Sequence, residues 1–197
     1  YGWLSEETPD DTARLHTEYQ FIIDPIDGTR AFMAGEKHFS HSLAVAHNGK
    51  ITAAVVYLPA LDKLYTATEY GPALRDGQPI QCGQKALSDN PNILTSKHSL
   101  DPTFWRDTPP DFQRSFRASL AYRLCLVADG SFDGMITFMD AWEWDIAAGG
   151  LIAARAGATV SDKHGNPLRF NAAGAQSAGT LACTPALHRD LMPLIKQ

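Results

Sequence analysis

Short apolar runs separated by turn residues dominate the first ninety residues of the chain. Phe21-Ile22-Ile23 is continuously apolar, residues 41–46 contain alternating apolar positions, and residues 51–58 are largely apolar, a pattern that predicts strands. Asn48-Gly49 lies between the last two stretches and favours a two-residue hairpin turn. We therefore expect these two strands to pair antiparallel and residues 64–67 to continue the meander.

The second half of the chain contains apolar residues at helical spacing. Apolar positions in residues 118–128 recur with the period of an α-helix, and Asp129-Gly130 provides a residue that can end it. Residues 134–138 predict a strand. Residues 146–157 predict an alanine-rich helix with Asp145 as its N-cap. Strands mixed with interspersed helices indicate an α/β or α+β layered fold.

Composition fits an ordinary globular domain. The chain has 197 residues, 44% hydrophobic and 20% charged, with a formal net charge of -5. This charge argues against binding a nucleic-acid polymer or an anionic membrane, because both are held by basic patches. No apolar run approaches the roughly 20 residues that span a bilayer, and Tyr1-Gly2-Trp3 does not begin a secretory signal. The prediction is a cytoplasmic protein.

The candidate metal-binding and catalytic residues are mostly carboxylates. Asp24 and Asp27 follow the first apolar run, Glu6 lies in a polar opening segment, and Asp145 precedes the alanine-rich helix. Four such charges can share one pocket at neutral pH only with protons or bound cations. Oxygen ligands without a set of His or Cys ligands favour Mg²⁺, with Mn²⁺ as the alternative. A bridging Asp24 could then hold two ions about 4 Å apart, the spacing used in phosphoryl displacement.

Gly28 and Thr29 complete a candidate phosphate site. If a short helix begins at Asp27, their backbone N–H groups are free to bind an anion. Read alone, the same segment is an ordinary turn, since Asp-Pro and Asp-Gly are common turn dipeptides. Asp145 read alone is a plain N-cap. The acidic opening residues read alone form a solvated loop.

Three ordered motifs decide between these readings. They are Trp3-Leu4-Ser5-Glu6-Glu7-Thr8, Ile23-Asp24-Pro25-Ile26-Asp27-Gly28-Thr29 and Glu143-Trp144-Asp145-Ile146-Ala147-Ala148-Gly149. Together they resemble, in order and spacing, the metal-site motifs of the inositol monophosphatase family. The resemblance covers nearly the whole chain. It implies a Mg²⁺-dependent, lithium-sensitive phosphomonoesterase with a layered αβαβα sandwich, cytoplasmic and dimeric.

The resemblance also implies residue roles. Glu6 and Asp24 would bind the first ion together with the Ile26 carbonyl, and Asp24, Asp27 and Asp145 would bind the second. Glu6 would hold a third ion through water. The residues assigned to catalysis are Glu6, Asp27 and Thr29, and those assigned to the substrate are Gly28, Thr29, Arg123 and Asp145.

Two features depart from the family pattern. The family's N-terminal pair of helices would precede the first motif, so the sequence is predicted to be truncated there and to lack that pair. A family glutamate that contacts inositol hydroxyls corresponds to Phe138, which weakens the prediction of an inositol-1-monophosphatase. The Glu143-Trp144-Asp145 motif and a basic Arg123 favour the 3′(2′),5′-bisphosphate nucleotidase branch, and Arg30 is also similar to histidinol-phosphatase relatives. A non-catalytic metal- or anion-binding relative is the alternative from a different class.

We expect one compact unit with two lobes. Residues 1–90 would form the metal-site lobe with the antiparallel meander, and residues 91–197 a second α/β lobe that contributes the last metal aspartate. The irregular, proline-containing segment 101–111 is the best candidate for a lobe boundary, with a lid as the alternative. The expected partners are a small phosphorylated substrate and a second copy of the chain.

Overall fold

The computed structural model describes residues 1–196, and its larger sheet contains the predicted meander. Seven strands follow one another across this sheet in chain order: β1 (Gly2–Ser5), β2 (Tyr19–Asp27), β3 (Ser40–His47), β4 (Lys50–Leu58), β5 (Lys63–Thr68), β6 (Leu74–Arg75) and β7 (Gln78–Pro79). β1 pairs parallel with β2, and each later pair is antiparallel. At the β3–β4 turn, Asn48 and Gly49 both have positive φ, 49° and 76°, as the predicted hairpin requires.

A second, five-stranded sheet follows. Its strands are β8 (Asn92–Thr95), β9 (Gln113–Ser115), β10 (Gly134–Thr137), β12 (Thr159–Ser161) and β14 (Thr180–Cys183), in the order β12-β14-β10-β8-β9. Two short strands, β11 (Ala141–Trp142) and β13 (Gln176–Ser177), pair with each other.

Segment 101–111 is not a lobe boundary, contrary to the prediction. It connects β8 and β9, which are hydrogen-bonded neighbours in one sheet. Within it, Trp105 is 1% exposed and forms a bridge to Ile195. The prolines therefore shape a crossover that packs on its own sheet.

Four α-helices accompany the sheets: α1 (Thr29–Met33), α2 (Leu120–Ala128), α3 (Glu143–Arg155) and α4 (Pro185–Leu191). Short 3-10 helices cover Thr12–His16, Leu87–Asp89, Lys97–Leu100, Pro102–Phe104 and Met192–Leu194. None of the helices within residues 1–196 is long and apolar enough to span a membrane.

The N-cap prediction for Asp145 is wrong. α3 starts at Glu143, three residues before the predicted first residue Ile146, with Trp142 in the extended conformation as its N-cap. Tertiary contacts fix that start, because the Glu143 N–H donates to the Ala175 carbonyl and the Glu143 carboxylate accepts the N–H of Ala172. Asp145 is therefore the third helical residue, and its carboxylate is available for another role.

The helices and sheets form alternating layers. α2 and α3 lie between the two sheets, where one core cluster joins Val56 of β4, Leu124 of α2, Ile152 of α3 and Met135 of β10. α4 covers the opposite face of the second sheet through a separate cluster that includes Leu187. The predicted layered α/β fold is confirmed. The division into lobes 1–90 and 91–197 stays a prediction. α3, which belongs to the second predicted lobe, packs against β3 and β4 of the first sheet.

Candidate metal centre and adjoining cleft

Three aspartates converge where β2 ends and α3 begins. Asp24 and Asp27 lie in the second half of β2, and Asp145 lies in the first turn of α3. One carboxylate oxygen from each lies within 4.8 Å of the others. Asp24 is 1% exposed and Asp27 is 6% exposed. Within residues 1–196, this is the one group of His, Cys, Asp or Glu side chains with metal-site spacing.

The convergence of the three carboxylates changes their protonation. Burial, followed by the charges of Asp27, Asp145 and Glu6, raises the pKa of Asp24 to about 9. Burial and the charges of Asp27 and Glu6 raise the pKa of Asp145 to about 8. Without a cation, the cluster therefore retains protons at neutral pH. A hard divalent cation would replace them, and an all-oxygen donor set suits such an ion.

Asp27 is held by the start of α2. Its Oδ2 accepts hydrogen bonds from Ser119 Oγ at 2.6 Å and from the Ala121 N–H at 2.7 Å. Its Oδ1 accepts the Leu120 N–H at 3.2 Å. Burial raises the pKa of Asp27, and these donors oppose that rise. They also fix the carboxylate in one orientation.

Ser119 was not among the residues predicted to form the site. Besides binding Asp27, its Oγ accepts the Tyr122 N–H at 2.9 Å and so caps α2. The signal was present in the sequence, since a serine directly before an apolar helical stretch is a typical N-cap. The sequence contains no comparable signal that the capped helix faces Asp27.

The remaining predicted ligands differ in placement. Glu6 follows β1 and is exposed, and it lies outside the 4.8 Å group, although its charge acts on Asp24 and Asp145. The Ile26 carbonyl accepts a hydrogen bond from Thr29 Oγ1 at 3.1 Å. A carbonyl oxygen has two lone pairs, so this bond leaves Ile26 one lone pair for a cation.

Gly28 occupies a backbone conformation that requires glycine. It is the N-cap of α1, with φ 92°, and a Cβ there would lie 3.2 Å from the His38 carbonyl oxygen. This conformation turns the chain from β2 into α1 and brings Thr29 to the surface beside the aspartates.

A cleft of about 560 Å³ opens at Gly28, directly after Asp27, although none of the three aspartates is among its lining residues. Its lining comes from the β2–α1 turn and from the segment before α2: Gly28, Thr29, Arg30, Ala31, Glu36, Phe116, Ala118 and Arg123. Two of the predicted basic residues are therefore brought to one cleft. Arg30 is exposed, whereas Arg123 is 9% exposed.

Arg123 links the cleft wall to the aspartates. Its guanidinium donates to the carbonyls of Arg117 and Ala118. Burial lowers its pKa to about 10, and the charges of Asp27 and Asp145 oppose that change. Arg123 therefore stays charged at neutral pH and contributes positive potential beside the acidic cluster.

Phe138 does not line this cleft. It is 2% exposed, and its ring lies 5.0 Å from that of Phe104 and 5.3 Å from that of Trp105. The position that the resemblance connects with hydroxyl recognition is thus part of the second core cluster.

Two further contacts hold the backbone around the aspartates. Ser42 Oγ donates to the Trp144 carbonyl at 2.9 Å, directly before Asp145, and His41 Nδ1 contacts the Pro25 carbonyl between the two β2 aspartates. His41 was not predicted to act here. It supports the turn rather than joining the carboxylate group.

Comparison with known proteins yields consistent matches. The model of the inositol monophosphatase family matches residues 2–196. An inositol-1-monophosphatase of Rhizobium meliloti is 34% identical over 198 residues, covering 93% of this chain and 69% of that protein. A 3′(2′),5′-bisphosphate nucleotidase of Escherichia coli is 32% identical over 176 residues, covering 85% of this chain and 69% of its own. The structure of a Thermotoga maritima IMPase superposes with a TM-score of 0.81 at 27% identity, covering 98% of this chain and 72% of that one.

Proposed function

The chain belongs to the inositol monophosphatase family, and from this we propose that it catalyses metal-dependent hydrolysis of a small phosphate monoester. The observation that carries the proposal is the convergence of Asp24, Asp27 and Asp145 within 4.8 Å beside an open cleft. The reaction would be inositol-1-monophosphatase-like, with water as the nucleophile.

The metal ligands follow from the donor set. Asp24, Asp27 and Asp145 would hold Mg²⁺, with Glu6 and the Ile26 carbonyl completing a site for two or three ions and Mn²⁺ as the alternative ion. Raised carboxylate pKa values support this assignment, because a cation would offset the burial and the mutual repulsion that now favour protonation. When bound, the cations supply electrostatic stabilisation of phosphoryl transfer and acidify a water molecule.

The protein's own groups would orient the reactants. Thr29 is exposed at the cleft, and its Oγ1 donates to the Ile26 carbonyl, so its lone pairs are directed away from that bond and can accept a hydrogen bond from the attacking water. The carboxylates of Glu6 and Asp27 would assist Thr29 in activating the attacking water. The backbone N–H groups of Gly28 and Thr29 would bind the phosphate, with Arg123 adding positive charge and Asp145 lying beside the substrate.

Inositol 1-phosphate and a 3′(2′),5′-bisphosphate nucleotide are the two leading substrates. Two arginines on the cleft wall favour the second, because a second phosphate needs a cation of its own. Histidinol phosphate remains a further alternative. A homodimer and a cytoplasmic location are part of the same proposal, as expected for the family.

A phosphate-release assay with Mg²⁺, with and without lithium, tests the function. The substrates are inositol 1-phosphate, 3′-phosphoadenosine 5′-phosphate, histidinol phosphate and a sugar phosphate. We expect release from at least one of them, inhibition by lithium, and loss of release in Asp24→Asn and Asp145→Asn. Asp107→Asn, which changes an exposed aspartate outside the cluster, is the matched control.

The competing hypothesis is a non-catalytic metal- or anion-binding protein. Calorimetric binding of Mg²⁺ and phosphate without turnover of any substrate would favour it. Activity that survives in both Asn variants would refute the roles assigned to these aspartates.

A further inference from the structure

Phe116 is the one aromatic side chain among the residues that line the cleft beside the aspartates. It lies four residues before the start of α2 and is 49% exposed, although the Arg123 guanidinium lies 4.4 Å from the centroid of its ring. An aromatic ring covered on one face by a cation and open to a cleft can still stack with a planar ligand.

The backbone on either side of the ring is tied down by arginine side chains. Arg123 Nη2 donates to the Ala118 carbonyl at 3.1 Å, and Arg117 Nη1 donates to the Phe116 carbonyl at 2.7 Å. The Arg117 guanidinium in turn lies over the Phe132 ring, 5.6 Å from its centroid. The carbonyls of Phe116, Arg117 and Ala118 thus each accept a hydrogen bond from an arginine, which reduces the conformational freedom that the segment would lose on binding.

The rest of the lining is poor in acceptors for a polyol. Glu36 is its single carboxylate and Thr29 its single hydroxyl, while Phe138 is buried away from the cleft. A ligand whose many hydroxyl groups stayed unpaired would bind weakly. A ligand that combines a flat apolar ring with an anionic group would match this lining, because Phe116 can stack with the ring and the arginines can bind the anion.

We propose that Phe116 is a specificity-determining residue that stacks against the organic part of the substrate, and that this part is a planar heteroaromatic ring. The inference depends on the proposed phosphatase function and narrows its substrate class from phosphate monoesters in general to those of alcohols that carry a planar heteroaromatic ring. Phe116 contacts only the organic part, so it contributes to binding of the ground state and transition state alike.

The test compares three secondary phosphate esters that differ in the organic part: adenosine 2′-monophosphate, inositol 1-phosphate and glycerol 2-phosphate. We expect the wild type to have its highest kcat/KM for the adenosine ester. In Phe116→Leu, the ratio of kcat/KM for the adenosine ester to that for glycerol 2-phosphate should fall about tenfold, as expected for loss of one stacking contact. The fall should appear in KM rather than kcat, since uniform binding is lost.

Two variants separate stacking from a general effect on the fold. Phe116→Tyr retains the ring and should keep the wild-type ratio, whereas Phe21→Leu, an exposed phenylalanine on β2 away from the cleft, should not lower it. Wild-type preference for inositol 1-phosphate, or an unchanged ratio in Phe116→Leu, would overturn the inference while leaving the phosphatase function standing.

If none of the three esters is hydrolysed, the phosphate-release assay with the wider substrate panel decides the proposed function. Calorimetric binding then decides the inference separately. Tighter binding of adenosine 2′-monophosphate than of inositol 1-phosphate, lost in Phe116→Leu, supports the stacking role, and equal binding of the two esters contradicts it.

Discussion

Replacing Asp24 by Asn should make the metal-free protein less sensitive to alkaline pH. Burial and neighbouring carboxylates raise the pKa of Asp24 from 3.8 to about 9, so the folded state binds this proton more tightly than the unfolded state. The resulting stability is fully present below pH ~4 and is lost as pH rises towards the folded-state pKa. Asn keeps the size of the side chain and can still accept the Ile26 N–H, now bound at 2.9 Å.

The magnitude follows from proton linkage. Each pH unit in this window removes about 1.4 kcal/mol from the free energy of unfolding for one such carboxyl group. Between pH 5 and pH 7.5, the stability of Asp24→Asn relative to wild type should therefore rise by about 3 kcal/mol, or about 6–12 °C in the unfolding midpoint for a chain of this size.

Urea and thermal unfolding in EDTA across this pH range provide the measurement. Asp107→Asn should follow the wild type, because that aspartate is exposed and outside the cluster. Saturating Mg²⁺ should flatten the wild-type profile and have little effect on Asp24→Asn, since the cation takes the place of the protons. Parallel metal-free profiles for wild type and Asp24→Asn would refute the reasoning.

Three more outcomes follow from the same region. Ser119→Ala should lower the free energy of unfolding by about 1–3 kcal/mol, measured in urea, because it removes the α2 cap and the shortest hydrogen bond to Asp27. Gly149→Ala should cost about 1–3 kcal/mol in the same assay, since its Cβ would lie 2.7 Å from Leu124 Cβ where α2 meets α3. Removal of metal by EDTA should lower the thermal midpoint more at pH 8 than at pH 5, because bound protons stabilise the empty cluster less at the higher pH; equal losses would contradict this.

Local signals made much of the fold predictable. Asn48-Gly49 specifies its own turn, because both residues tolerate the positive φ that a two-residue hairpin needs. The start of α3 could not be predicted in this way. Trp142 is a poor N-cap by composition, and the helix begins there because Glu143 bonds to a segment nearly thirty residues later. Such long-range hydrogen bonds leave no pattern in the nearby sequence.

The cleft was less predictable than the aspartates. Arg123 was assigned to the substrate through the family resemblance, and nothing in the nearby sequence indicated that it would be buried beside Asp27. Phe116 gave no signal, because an isolated aromatic residue in a polar segment is common. Its importance depends on Arg123 covering one face of its ring, a contact between the end of a loop and the interior of α2.

The spacing of Asp24 and Asp27 illustrates the limit of the sequence pattern. In a regular strand, side chains alternate between faces, so residues three apart point to opposite sides. Between these two aspartates the pairing of β2 with β3 is irregular, and Pro25 has no N–H to donate to the ladder. The irregularity shifts the alternation by one residue and brings both carboxylates to the same side, towards Asp145. The irregular pairing is thus the structural requirement of the carboxylate cluster, because a regular strand would separate the two aspartates across the sheet, and Pro25 is compatible with it.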